Sequence, residues 1–260
     1  NAMLGLSQEM GERLTLEAYT IYNDARVNTY RTLNYTQVSP LSDNYDADDI
    51  LPAMAGGLSH DGTLYAAPFY GESSMIMYRT DLMEAAGLEM PEAPTWQFIR
   101  EAAAAMTDRD NDINGICLRG KAGWGEGGAF ITVTANSFGA RWFDEDWNAQ
   151  FDQPQWKEAL TFFVDMMNAY GPPGYATNGF NENLSLFQQG KCGMWIDATV
   201  AASFVTNPND STVADSVGFA LAPDTGLGKR SNWLWAWALA VPAGTQKEAA
   251  AKQFIEWATS

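Results

Sequence analysis

GTLYAAPFYGESSMIMYRTDL, residues 62–82, changes its period twice within one short stretch. Gly62 to Phe69 reads as a turn leading into a strand, and Ser74 to Tyr78 as a second strand. Thr80 to Ala86 then reads as a short helix ended by Gly87. Downstream the alternation continues. Thr95 is placed to cap a helix whose apolar positions Phe98, Ile99, Ala102, Ala103 and Met106 keep helical spacing. Ile113 to Leu118 reads as a strand, and Ala129 to Phe138 as a helical or simply buried segment. Pro154 to Tyr170 is an amphipathic helix with Trp156, Leu160, Phe163, Val164 and Met167 on one side. A helix over Asn181 to Gln189 precedes strands at Cys192–Ile196, Val217–Ala222 and Trp233–Val241, and Thr245 to Trp257 closes the chain as a helix. Upstream, Asp46 is placed to cap a short helix, whereas residues 4–37, with Tyr19, Tyr22, Tyr30 and Tyr35, carry no clean period. Strands and helices in alternation predict the α/β class. There is no internal repeat.

The chain has 260 residues, a formal charge of −17 and a hydrophobic fraction of 46%. That length suffices for one large or two modest domains. The charge excludes nucleic acid and anionic membrane surfaces as partners, because both repel such a field. No apolar run reaches the roughly 18 residues of a membrane span. Asn1-Ala2-Met3 reads as a tag remnant, and no signal peptide is visible. With one histidine and two cysteines, a His/Cys zinc site lacks ligands, and no cofactor is expected. His60, in Ser59-His60-Asp61-Gly62, reads as a solvated turn rather than a triad base. Cys117 and Cys192 lie in short apolar runs and fit two readings, one disulfide or two buried thiols. Asp110 to Gly115 matches the first half of a calcium loop, but position twelve is Lys121 where a bidentate Glu is needed, so it reads as a plain turn.

Three stretches place indoles beside polar groups: Trp124 to Glu126 (WGE), Trp195 to Thr199 (WIDAT) and Trp233 to Trp237 (WLWAW). A flat ring beside fixed carboxylates and hydroxyls suits a polyhydroxylated ligand, whose C–H faces stack while its hydroxyls hydrogen-bond. On a strand, Trp233, Trp235 and Trp237 share one side. Trp233 and Trp235 are assigned to the ligand and Trp237 to packing.

Gly62 to Leu82, Trp96 and Gly190 to Thr199 (GKCGMWIDAT) resemble bacterial extracellular solute-binding proteins of ABC transporters, in the group that includes maltodextrin-binding proteins. Gly115 to Glu126 (GICLRGKAGWGE), Phe180 to Phe187 (FNENLSLF) and Asn232 to Ala238 (NWLWAWA) resemble the sorbitol and mannitol binding branch. The resemblance covers roughly residues 39–260. It implies a periplasmic-binding-protein type fold of two α/β lobes with the ligand in the interlobe cleft. The implied division is a partial first lobe over 1–74, a nearly complete second lobe over 75–232, and a return crossing with a first-lobe helix over 233–260. The first lobe is then truncated and the chain a fragment. The part expected ahead of it carries the signal peptide and any lipid anchor, and the location is periplasmic or extracellular. A homodimer through the truncated lobe is one way to cover the edge so exposed.

The resemblance and the strand-end positions together nominate the ligand contacts. Tyr70 and Glu72 lie on the first crossing, and Trp233 and Trp235 on the second. Arg119, Trp124 and Glu126 follow the strand ending at Leu118, and Asp197 and Thr199 follow Ile196, where α/β lobes gather ligands. Arg119 offers a fork of donors for vicinal hydroxyls, or alternatively pairs with Glu126. Asn181 and Asn183 open a helix, as ligand contacts or as its cap. The function so implied is binding a sugar alcohol or sugar and delivering it to permease subunits, without catalysis. The alternative is a glycoside hydrolase drawing a carboxylate pair from Glu72, Glu126 and Asp197.

Overall fold

A computed structural model of the chain describes residues 6–9, 15–18, 35–38 and 45–259, so much of the 4–37 segment lies outside the described residues. The strands are Leu6–Glu9 (β1), Thr15–Ala18 (β2), Tyr35–Thr36 (β3), Ser59–His60 (β4), Thr63–Leu64 (β5), Ala66–Glu72 (β6), Ser74–Arg79 (β7), Met194–Ala198 (β8), Val217–Leu221 (β9) and Trp235–Pro242 (β10). The helices are Pro52–Gly57 (α1), Thr80–Ala85 (α2), Trp96–Met106 (α3), Ala129–Ser137 (α4), Pro154–Tyr170 (α5), Phe180–Gln188 (α6), Ala201–Val205 (α7) and Glu248–Thr259 (α8). The chain divides into two compact units, one formed by Asn1–Gly71 with Leu234–Ser260 and the other by Glu72–Trp233. None of the described helices is long and apolar enough to cross a membrane.

In the first unit, β10 lies between β3 and β6 in one sheet. Val38, Ala67, Val241 and Ile255 form its buried cluster. His60 is exposed on the β4–β5 hairpin, where Asp61 and Gly62 take φ of 49° and 74°, the left-handed pair a two-residue hairpin favours. Asp46 corrects its expectation. It precedes a single turn, Ala47–Asp49, without a capping side-chain hydrogen bond, and the helix that follows starts instead at Pro52. The final helix also starts later than Thr245, whose hydroxyl accepts from the Lys247 amide in the turn before it.

The second unit is built on a three-stranded antiparallel sheet of order β8-β7-β9. Side chains alternate across it. On one face Ile76, Met194 and Ile196 join Trp96, Ile99, Phe130, Phe163, Met166 and Met167 from α3, α4 and α5. On the other, Met77 and Trp195 join Phe187 of α6 and Ala201 and Val205 of α7. Helix α3 starts where Thr95 Oγ1 accepts from the Phe98 amide at 3.2 Å. Helix α5 starts at Pro154, whose missing N–H costs nothing in a first turn. It buries Trp156, Ala159, Phe163, Met166 and Met167, but Leu160 and Val164 stay exposed, which narrows the apolar side expected from the sequence.

Ile113–Leu118 forms no regular strand. It runs parallel to the β8 segment through two isolated bridges, Asn114 with Cys192 and Cys117 with Trp195. Gly115 accounts for the irregularity: a Cβ there would lie 1.9 Å from the Ala103 carbonyl oxygen, so the backbone is pressed against α3. The alternation nevertheless persists, Ile116 and Leu118 facing the α3 side and Cys117 the α6 side.

Of the two readings for the cysteines, the structure has the disulfide: Cys117 and Cys192 are bonded, 75 residues apart, with a Cα–Cα distance of 5.9 Å. Closing a loop of that length removes chain entropy from the unfolded state worth about 4 kcal/mol. The double variant Cys117→Ser/Cys192→Ser is therefore expected to lose about 4 kcal/mol of unfolding free energy in guanidinium titrations. An unchanged midpoint would contradict that role.

Candidate functional site

Strand β8 is buried along its whole length, and Asp197 sits in it with no exposed surface. Alternation puts Asp197 on the α6 side with Trp195, and the same rule carries Arg119 to that side two residues beyond Cys117. There the two meet. Arg119 Nε donates to Asp197 Oδ2 at 2.8 Å and Nη2 to Oδ1 at 2.5 Å, the fork that matches a carboxylate edge. Asp197 also accepts from Trp195 Nε1 at 3.0 Å and from the Ala198 amide at 2.7 Å. Four donors saturate its two oxygens.

Arg119 Nη1 donates to the Gly125 carbonyl at 2.7 Å and approaches Glu126 Oε2 at 3.3 Å. The guanidinium carbon lies 5.2 Å from the Phe180 ring centre and 5.8 Å from that of Trp233, contacts that favour a cation over ring faces. Burial opposes the charge on Arg119, yet the hydrogen bonds and charge of Asp197, with the charges of Glu126 and Glu72, raise its pKa above the ordinary value. The expected pairing of Arg119 with Glu126 thus exists beside a stronger one. Nη2 carries a second hydrogen beyond the one donated to Asp197, without an acceptor among the described residues.

Glu126 lies in the tight turn Trp124–Gly128, entered through Gly123 at φ 147°, a region L side chains avoid. Its Oε2 also accepts from the Phe180 amide at 3.0 Å, tying the turn to the start of α6. Gly179 makes that approach possible, since a Cβ there would meet Glu126 Oε2 at 2.5 Å. Trp233 precedes β10 rather than lying in it, so the shared strand face expected for Trp233, Trp235 and Trp237 does not include Trp233. It is fixed through Ser231, whose carbonyl accepts from Ser74 Oγ and whose hydroxyl accepts from Trp96 Nε1, both at 2.8 Å.

Of the residues nominated from the sequence, Glu72, Arg119, Glu126, Asp197 and Trp233 are thus linked around one guanidinium. Thr199 follows, with Oγ1 accepting from the Ser73 amide at 3.2 Å. Trp124 is 54% exposed. Asn181 opens instead onto a groove of about 570 Å3 with Asp112, Asn178, Ser185 and Lys191. Asp112, from the calcium-like run, pairs with Lys191 at 2.7 Å. Asn183 is fully buried, and neither amide atom has a hydrogen-bond partner among the described residues. Neither Asn caps α6: Gly179 precedes it, and Glu182 reaches back to the Gly179 amide at 2.8 Å. Tyr70 and Trp235 belong to the first unit. Trp237, assigned to packing, lies stacked on Tyr70 at 6.2 Å yet stays 39% exposed. Phe180 and Ser231 were not nominated. The signal for Phe180 was its place directly before the Asn pair in FNENLSLF, whereas nothing local marked Ser231.

The bacterial extracellular solute-binding protein family matches residues 34–260. The chain belongs to that family. This solute-binding protein is 54% identical over 223 residues to the mannitol-binding protein of Pseudomonas aeruginosa, across 86% of this chain and 51% of that one. It superposes with a TM-score of 0.84 and 66% identity on an ABC transporter solute-binding protein from Agrobacterium vitis S4 with bound D-mannitol, covering 87% of this chain and 55% of that one. A solute-binding protein from Agrobacterium radiobacter K84 in complex with ribitol gives 0.76 at 27% identity, covering 83% and 54%. The fold is therefore that of the two-lobe periplasmic binding proteins. The chain spans about half the length of these relatives.

Two stability predictions follow from the burial. Asp197→Ala leaves the Arg119 guanidinium without its main partner and is expected to cost about 3–5 kcal/mol in chemical denaturation; a loss under about 1 kcal/mol would mean the pair contributes little. Asn183→Leu removes two unpaired buried atoms at similar volume and is expected to stabilise by about 1–3 kcal/mol. Destabilisation would show that the amide is satisfied in solution.

Proposed function

We propose that this solute-binding protein binds an acyclic sugar alcohol or related sugar at Arg119 and delivers it to the permease subunits of an ABC transporter, in the periplasm or outside the cell. The observation that supports this most is the guanidinium lying over the rings of Phe180 and Trp233 with one edge locked by Asp197. Such a group offers a fixed donor to a hydroxyl and flat apolar surface to a carbon chain. The relatives with mannitol and ribitol support the same ligand class.

Glu72, Glu126, Thr199 and Trp124 complete the proposed contacts in this unit. Asn183 contributes as a buried neighbour on α6, and Asn181 from the adjoining groove. Tyr70 and Trp235 enter through the resemblance. Asp197 acts by holding Arg119, because its oxygens are already occupied. That also weakens a hydrolytic reading, since a sealed and saturated carboxylate is no nucleophile. Binding is the whole activity, and no bond is broken.

Calorimetric titration of the chain with D-mannitol, sorbitol, ribitol, glucose and maltose tests the proposal. Saturable binding of one or more alditols, weakened about tenfold or more by Trp233→Ala (about 1.4 kcal/mol per decade), is expected. Unchanged affinity in Trp233→Ala would remove that residue from the site, and binding of maltose alone would overturn the alditol reading.

A further inference from the structure

We propose that the Arg119 site selects uncharged ligands and refuses the anionic counterparts of the same carbon chain, with Glu126 as the residue that sets this preference. The inference rests on the polyol reading above and goes further by fixing the ligand's charge.

A site for carboxylate or phosphate presents donors that lack an anion: free guanidinium edges, helix N-termini, open amides. Here carboxylates already engage most of these donors. Asp197 holds one edge of Arg119 through two bonds, and Glu126 lies 3.3 Å from the other. The N-terminus of α6 points its positive end at the same place, but its Gly179 and Phe180 amides are engaged by Glu182 at 2.8 Å and by Glu126 at 3.0 Å. Glu72 adds a further negative charge within electrostatic reach of Arg119. With Glu182 paired to Lys121 at 3.3 Å, Asp197, Glu126 and Glu72 set three carboxylates against one guanidinium and leave the site net negative among the described residues, and the chain's overall charge of −17 extends that sign outward. A hydroxyl can still accept from the remaining Nη2 hydrogen or donate to a carboxylate. An incoming anion meets like charge, which costs several kcal/mol when closely juxtaposed.

Glu126 differs from Asp197 in being reachable. Its side chain is 32% exposed, while that of Asp197 is sealed at 0%. Glu126→Gln keeps an oxygen for the Phe180 amide and for Arg119 while removing one charge, so it probes charge rather than shape.

The test is calorimetry at low salt with D-mannitol, D-mannonate, D-mannonamide and 1-amino-1-deoxy-D-mannitol. D-Mannonate is expected to bind about tenfold or more weaker than D-mannitol, while the neutral amide and the cationic amine bind within about threefold of it or tighter. Raising salt to about 0.5 M is expected to narrow the mannonate deficit, because screening weakens repulsion between exposed charges. Glu126→Gln is expected to narrow the mannonate-to-mannitol ratio about threefold or more, a change that lost packing alone would not produce. Equal binding of D-mannonate and D-mannitol overturns the inference while leaving the polyol reading intact. Refusal of the amide together with the acid overturns it as well, by assigning the discrimination to shape. Absence of binding by every alditol overturns the polyol reading and this inference with it.

Discussion

A carboxylate buried in an outer strand of a three-stranded sheet has to be compensated or the strand will not stay there. Asp197 occupies that place in β8, and Arg119 compensates it across 78 positions of sequence. The pairing fixes more than two side chains. It brings the segment after Leu118 against β8, and with it the turn of Gly125 and Glu126 that closes over Nη1. Through Glu126 it reaches the Phe180 amide, and so sets where α6 begins. The disulfide lies on the same two segments, Cys117 just ahead of Arg119 and Cys192 just ahead of β8. Covalent and electrostatic links thus clamp one pair of chain segments from neighbouring points.

The same geometry explains why an arginine, rather than a lysine, suits the position. Planar guanidinium can present one edge to a carboxylate and its faces to rings at once, while an ammonium offers only a point charge. Phe180 and Trp233 supply those rings from α6 and from the residues just before Leu234. Held in this way, the donor loses little conformational freedom when a ligand arrives, which is how a small polar molecule can be bound with few contacts.

Local rules read much of the fold from the sequence. Apolar residues at helical spacing marked α5, and Thr95 marked the start of α3, because such signals depend on neighbours a few residues away. Where tertiary contacts decide, the reading slipped. Leu160 and Val164 fit a helical stripe but sit at its edge, outside the packing of Phe163 and Met166. Ile113–Leu118 has strand composition, yet with Gly115 pressed on α3 it makes only isolated bridges among the described residues. For the candidate site, Arg119, Glu126 and Asp197 were visible as residue types expected beyond strand ends and Trp233 as one on a crossing strand, whereas Asp197 lies inside β8 and Trp233 ahead of β10. Their division of labour was not visible. For Asp197, nothing local revealed that Arg119, 78 positions away, meets its oxygens beside Trp195 and Ala198. Trp233 looked like a strand residue because its anchor, Ser231, depends on Ser74 and Trp96 far away in sequence.

The central claim is that Arg119, locked by Asp197, is what a polyol touches. A crystal structure of this chain with D-mannitol tests it most directly. The account predicts a ligand hydroxyl within about 3.2 Å of Arg119 Nη2, with the Asp197 fork intact and the carbon chain against Trp233. Mannitol seated elsewhere, or a guanidinium turned away from Asp197 to meet it, would contradict the account.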